Sequence, residues 1–164
     1  MNWLEYCNYI PFWNRKDPTI VDDTGWTYAM IWINTRRNVG TIFDVPDYLR
    51  HDPKISTYEG YTCAMLWIIY IKTDIPKYLR HDPTTRVCYG LTCAMFWIQS
   101  VQTDVPEYLR HDPIIQNEDG WTCAMLWLRY VKTEVPDYLR HDPNIQDRYG
   151  YTCATMQHKH QTTI

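Results

Sequence analysis

Histidine, aspartate and cysteine recur along this chain at positions that could do chemistry. His51-Asp52, His81-Asp82, His111-Asp112 and His141-Asp142 are identical pairs, and Cys63, Cys93, Cys123 and Cys153 follow them by twelve residues each time. Imidazole and thiolate are zinc ligands, and a carboxylate beside a histidine can orient a general base for hydrolysis. The spacing argues against both. Zinc modules bring ligands in close sequence pairs of the C-x-x-C and H-x3-H kind, and these residues have no such companions. Each His-Asp pair runs directly into a proline (Pro53, Pro83, Pro113, Pro143), which pushes the preceding residue out of the helical region and marks a helix stop and a turn. His158 and His160 stand in a polar tail and read as solvated. A P-loop, a G-x-G-x-x-G, an H-E-x-x-H and a nucleophile elbow are all missing from the sequence. The sequence therefore offers no catalytic residue, no metal ligand and no cofactor, and the expectation is a protein that is not an enzyme.

What positions these residues is a repeat. Gly60, Gly90, Gly120 and Gly150 keep a strict thirty-residue period. The phrase Tyr61-Thr62-Cys63-Ala64-Met65 returns at 91–95 and 121–125 and, in a decayed form, from Tyr151. The phrase Pro46 to Pro53 returns at 76–83, 106–113 and 136–143. A fixed period in this range is the signature of a solenoid, in which each unit buries its apolar face only against its neighbours. Stacked helices lie about 8–10 Å apart, whereas disulfide-bonded Cα atoms approach within about 7 Å. The four in-phase cysteines should form a ladder of free, buried thiols, which suits a reducing, cytoplasmic or nuclear location.

Composition excludes further classes. The chain has 164 residues and a net charge of -3, so it shows no electrostatic footprint for nucleic acid or an anionic membrane. The longest apolar run, Ala64 to Ile69, is far short of the roughly 20 residues of a membrane span. Met1-Asn2-Trp3-Leu4-Glu5 lacks the basic start of a signal peptide. The reading is a single repeat domain over 1–164: a half repeat at 1–24, full repeats at 25–59, 60–89, 90–119 and 120–149, and a polar C-terminal cap at 150–164. The first full repeat is five residues longer, with the excess in Thr35 to Thr41 around Arg36, Arg37 and Gly40.

Within one unit, Thr62 is placed to N-cap a helix. Ala64, Trp67, Ile68 and Ile71 follow the i, i+3, i+4, i+7 pattern of an apolar helical stripe. Trp32, Trp67, Trp97 and Trp127 share that helical phase, so they read as core rather than as a base-stacking platform. A second, shorter helix is expected, capped by Thr73 or Asp74, carrying Pro76 in its first turn and an apolar face of Ile75, Tyr78 and Leu79. Variable residues then lead to Gly90, whose freedom at positive φ suits a turn.

The unit resembles the ankyrin repeat, which runs roughly G-x-T-P-L-H-x-A-A, a loop, an apolar second helix and a hairpin. Gly60 and Thr62 match its opening, Leu79 its second helix, and Asp82-Pro83 the start of its hairpin. The resemblance covers essentially the whole chain. It departs from the family in a unit about three residues short, in Cys63 at the proline position, Met65 at the histidine and Trp67 at an alanine. Ala64 stands where the family prefers leucine, so bulk has moved from one core position to another. The resemblance implies an all-α, ankyrin-type solenoid of helix-turn-helix units with hairpin-like loops. It also implies a protein-interaction scaffold whose concave face is made of hairpin tips and the exposed side of each first helix.

The units differ from one another at those positions. Tyr58, Glu59, Tyr61, Tyr89, Leu91, Gln99, Glu118, Trp121, Arg129, Arg148, Tyr149 and Tyr151 are the expected partner-binding residues. Tyrosine and tryptophan bury much area at low entropic cost and dominate binding hot spots. The expected partner is another protein, with no nucleic acid and no membrane, and the chain itself a monomer unless part of an assembly. The alternative is a structural subunit that uses its identical outer features, among them Arg50, Arg80, Arg110 and Arg140, for lattice contacts. Arg36 and Arg37 in the long loop would suit an acidic partner.

Overall fold

The computed structural model describes residues 17–36 and 44–161, together with their side chains except those of Cys88 and residues 158–161. Asn8 to Pro11 of the expected half repeat, Arg37 and Gly40 of the long loop, and the imidazoles of His158 and His160 lie outside the described residues. The chain divides into two compact units, 1–81 and 82–164. In the first, α1 (Tyr28–Thr35) packs against α2 (Cys63–Tyr70); in the second, α3 (Cys93–Ser100) packs against α4 (Cys123–Tyr130) and α4 against α5 (Cys153–Gln161).

The helices begin where threonine can cap them. Thr27, Thr62, Thr92 and Thr122 hold extended backbone angles, and each Oγ1 accepts from the N–H of the methionine three residues on, at 3.3 to 3.4 Å. The hydroxyl takes up a donor that the first turn leaves without a partner. The last turns of α2, α3 and α4 close through Lys72, Gln102 and Lys132, which adopt positive φ of 59°, 60° and 61°. Their N–H groups return to the carbonyls of Trp67, Trp97 and Trp127 at 3.1, 3.2 and 3.1 Å, a left-handed closure that usually falls to glycine.

The expected apolar stripe is present but wider than the spacing alone suggests. From Cys63 to Ile68, from Cys93 to Ile98 and from Cys123 to Leu128 every residue is buried. A helix with a neighbour on both sides, as α4 has α3 and α5, is buried nearly all round. Ala64 and Trp67 are both fully enclosed, and the tryptophans sit in the core as their phase indicates. The indole N–H groups of the last three find hydroxyls: Trp67 donates to Thr73 at 3.1 Å, Trp97 to Thr103 at 3.2 Å and Trp127 to Thr133 at 3.1 Å.

The expected second α-helix is replaced by a single 3-10 turn. It occupies Asp47–Leu49, Lys77–Leu79, Glu107–Leu109 and Asp137–Leu139. Pro76 at its start and extended Arg80 at its end leave room for three helical residues, too few to complete an α-helical i→i+4 ladder. Neither Thr73 nor Asp74 caps this turn, whose N-cap is Pro76: Thr73 accepts from Trp67 and Asp74 pairs with Arg80. Leu79 and Ile75 still reach the core, as do their counterparts Leu49, Val45, Leu109, Val105, Leu139 and Val135.

Candidate interaction surface

The loops between the units are tight hairpins, and their variable residues do two different jobs. Asp22, Thr57, Val87, Asn117 and Asp147 occupy one structural position. Each donates its N–H to the carbonyl four residues on, on Trp26, Tyr61, Leu91, Trp121 and Tyr151, at 2.9 to 3.1 Å. The side chains of four of them also accept backbone N–H groups inside the turn. Asp147 Oδ1 accepts from Tyr149 and Tyr151, both at 2.8 Å, and Asn117 Oδ1 from Asp119 at 3.0 Å and Trp121 at 2.8 Å. Asp22 does the same for Thr24 and Trp26, and Thr57 Oγ1 for Tyr61. These are Asx-type turns, in which a short polar side chain mimics backbone. Thr57 and Asp147 are buried, so their variation is internal support. The signal was available in the sequence as an Asp, Thr or Asn four residues before each aromatic tip residue.

Neighbouring tips are tied together by backbone. In the first unit Tyr58 donates its N–H to Thr24 at 3.3 Å; in the second, Glu118 donates to Tyr89 at 2.9 Å and Arg148 to Asp119 at 2.8 Å. Glycine makes this approach possible. At Gly120, φ is +81°, and a Cβ would lie 2.8 Å from both the Arg148 nitrogen and the Asp147 Cα. The hairpins are thereby held as rigid supports for what they display.

The expected partner-binding residues are placed as follows. In the first unit Tyr58 is 76% exposed, Glu59 is exposed and Tyr61 half-buried. In the second, Tyr89 and Tyr149 are 66% and 71% exposed; Glu118, Arg129, Arg148 and Tyr151 are exposed, while Leu91, Gln99 and Trp121 are half-buried. Four of them converge. Gln99, Trp121, Arg129 and Tyr149 line one cleft of about 260 Å³ with Asn117, Asp119, Leu126 and Tyr130. The Arg129 guanidinium lies over the Trp121 ring at 5.3 Å and the Tyr130 ring at 5.9 Å. Arg148 is already engaged, with Nη1 3.5 Å from Asp119 and Nη2 donating to the Glu118 carbonyl at 3.1 Å.

The repeated residues turn inward on themselves. His51, His111 and His141 each set Nδ1 against the carbonyl of the following aspartate at 2.8 to 2.9 Å. A carbonyl only accepts, so Nδ1 is the donor in that bond. Nε2 lies against the hydroxyl of the helix-capping threonine: Thr27 with His51 at 2.8 Å, Thr92 with His111 at 2.8 Å and Thr122 with His141 at 2.8 Å, with Thr62 and His81 in the same contact at 2.7 Å. Cys63, Cys123 and Cys153 place Sγ 3.5 to 3.8 Å from the same nitrogen. Burial pushes the Cys63, Cys93 and Cys123 thiols up to about 12, the opposite of an activated nucleophile. Each aspartate of the pairs caps the next turn, Asp52 accepting from Lys54 and Asp142 from Asn144 at 2.9 Å. Among the described residues no three His, Cys, Asp or Glu side chains gather as a metal site.

A second network joins consecutive repeats and was missed in the sequence. Tyr138 donates its hydroxyl to Asp104 at 2.5 Å and accepts from the Val105 N–H at 3.0 Å, while the Arg110 guanidinium lies 3.7 Å from the ring centre. Arg110 also reaches Asp104 at 3.3 Å and the Val105 carbonyl at 3.0 Å. The first unit repeats this with Tyr78 on Asp44 and Val45, under Arg50 at 3.9 Å. The arginine ladder is thus committed within the chain: Arg50 and Arg140 each meet two carboxylates, and Arg80 meets Asp74 at 3.2 Å.

No protein-family model matches the sequence, and no curated protein does. Solved structures do. EF0377, an ankyrin repeat protein, is 19% identical at a TM-score of 0.59, over 98% of this chain and 92% of its own. A chain in the structure of the predatory endopeptidase Bd0816 from Bdellovibrio bacteriovorus in complex with immunity protein Bd3460 is 16% identical at a TM-score of 0.64, over 90% of this chain and 81% of its own. Threonine-capped helices, glycine-turned hairpins and neighbour-on-neighbour packing agree with that likeness: the chain has the ankyrin-repeat fold, built here from a thirty-residue unit.

Proposed function

We propose that this chain is a non-catalytic protein-interaction module of the cytoplasm or nucleus. It holds its partner against the hairpin tips and the exposed side of the first helices, the surface that is concave in ankyrin stacks. The observation that carries this reading is the display of large aromatic side chains on hairpins that are internally fixed. Tyr58, Tyr89 and Tyr149 stand mostly in solvent, while tip-to-tip backbone bonds pin the turns beneath them, joined under Tyr58 and Tyr149 by the side-chain caps of Thr57 and Asp147. Such residues lose little entropy on binding and are the ones that anchor interfaces. One of the similar folds comes from a protein–protein complex, which agrees with the reading. A role as an assembly subunit that docks through its arginine ladder draws less support, because those guanidiniums already meet carboxylates of their own repeats.

The test is affinity capture from native extract with the parent chain and with a variant carrying Tyr58→Ser, Tyr89→Ser, Trp121→Ser and Tyr149→Ser. A partner held by the parent and lost by the variant, with helicity unchanged by circular dichroism, is the expected result. Equal retention by both chains overturns the proposal.

A further inference from the structure

Arg129 differs from the described arginines between Arg50 and Arg148. Arg50, Arg80, Arg110, Arg140 and Arg148 all meet a carboxylate, and Arg86 donates to the Gln116 carbonyl at 3.4 Å. Arg129 is exposed and meets no carboxylate among the described residues. It is nevertheless held in place, with Trp121 and Tyr130 beneath its guanidinium at 5.3 and 5.9 Å. Stacking of this kind leaves the fork of N–H donors free along its edge. Its position in the last turn of α4 lets the helix carbonyls hold the charge without neutralising it.

The cleft around it narrows the choice of ligand. At about 260 Å³ it falls below the roughly 300–1,000 Å³ of small-molecule sites, and suits one inserted side chain. Its lining adds the amides of Gln99 and Asn117, and the Tyr149 ring at the rim. The one carboxylate in the wall, Asp119, is matched by Arg148, so the unmatched charge of the cleft is positive. A planar carboxylate pairs two-pronged with guanidinium and takes amide donors at its remaining lone pairs.

We propose that this cleft is a receptor for an acidic side chain, a glutamate or aspartate of the partner protein, with Arg129 as its anchor and Trp121 as the platform that orients it. The proposal rests on the tip-and-helix surface proposed above and names the chemistry recognised there. The phase carrying it, Ile69, Gln99 and Arg129, offers a cation only once, so the recognition is confined to the second unit.

The probe is a pair of blocked tripeptides, acetyl-Gly-Glu-Gly-amide and acetyl-Gly-Gln-Gly-amide, titrated into the full-length ¹⁵N-labelled chain. The signals followed are the Trp121 indole N–H and the Arg129 Nε–H. The glutamate peptide should give saturable shifts at both in the low millimolar range, with the glutamine peptide about tenfold weaker, the worth of one charge-assisted pair. Arg129→Gln should remove the difference between the peptides without changing the circular dichroism spectrum. Equal responses to the two peptides, no saturation, or an unchanged preference in Arg129→Gln would each overturn the assignment. Failure of this titration alongside a partner that the tip-serine variant loses would remove the receptor and keep the interaction surface. Selective peptide binding alongside capture that the tip substitutions leave intact would do the reverse.

Discussion

Gly120 and Gly150 hold almost the same backbone angle, φ of +81° and +82°, and differ in what stands beside them. A Cβ at Gly120 meets the next hairpin's backbone: the Arg148 nitrogen and Asp147 Cα at 2.8 Å and the Asp147 carbonyl carbon at 3.0 Å. At Gly150 it meets nothing within 4 Å. Replacing each by alanine therefore separates two reasons for glycine. Both substitutions cost the left-handed conformation, about 1–2 kcal/mol for a residue with a Cβ, and both narrow the unfolded chain alike. Only Gly120→Ala must also push a neighbouring backbone aside, about 1–3 kcal/mol for an overpacked contact. It also weakens the Arg148 N–H bond to Asp119, now 2.8 Å long, by about 1 kcal/mol. Gly120→Ala should lose about 2–4 kcal/mol more than Gly150→Ala, a gap in which the φ cost cancels. Urea unfolding followed by tryptophan fluorescence and circular dichroism reads both. Equal losses would show that the hairpins are not locked by close approach, and the rigid-tip reasoning would fall with it.

Other outcomes follow from the same geometry. Lys132→Gly, at a φ of 61°, should stabilise the chain by about 0.5–1 kcal/mol, the left-handed strain relieved less the flexibility added; a loss in thermal unfolding would contradict it. Tyr138→Phe leaves the Val105 N–H and the Asp104 carboxylate without the hydroxyl they share. About 1–2 kcal/mol of stability should go with it, whereas a neutral result would remove the inter-repeat staple from the account. Raising the pH should destabilise the fold by way of the buried thiols. Their ordinary value of 9.0 is raised to about 12 in the folded chain, so the folded state keeps protons that the unfolded state releases. That stabilisation is complete below pH 9, and falls by about 1.4 kcal/mol per thiol per pH unit above it until the folded thiols ionise. Tyr138, pushed up to about 12 by burial and by its bond to Asp104, acts in the same direction. Stability by urea titration that stays flat from pH 8.5 to 10.5 would oppose this (about 1.5 units of the window lie above the unfolded thiol value).

Much of the fold was legible because it is written four times. Threonine before an apolar octet, glycine at a fixed phase and proline after His-Asp are local signals, and the capped helices, turned hairpins and helix stops follow from them. The second helix was misread because Ile75, Tyr78 and Leu79 fit a helical face, while the extended residue after Leu79 that stops the turn has no periodic signature. Tyr78 was assigned to that face for its apolar ring, yet its hydroxyl serves Asp44 from a neighbouring repeat, a contact that pattern within one unit does not reveal. The histidines followed the same logic. Their repetition argued for structure, but only the fold showed that they bind the threonine caps, where Met65 and its counterparts stand in the family's histidine position and are fully buried. At the candidate surface, variation singled out the tips. It did not separate displayed Tyr149 from buried Asp147 two residues before it, because both vary and only burial tells them apart.

The central claim is that the hairpin tips and adjoining helix faces receive a protein partner. Hydrogen–deuterium exchange of the full chain, alone and with the partner recovered by affinity capture, tests it most directly. The account predicts new protection in peptides covering 56–61, 86–91, 116–121 and 146–151 and at the end of α4 around Arg129. Protection confined to the 3-10 turns around Arg50, Arg80, Arg110 and Arg140, with the tips exchanging as before, would contradict it.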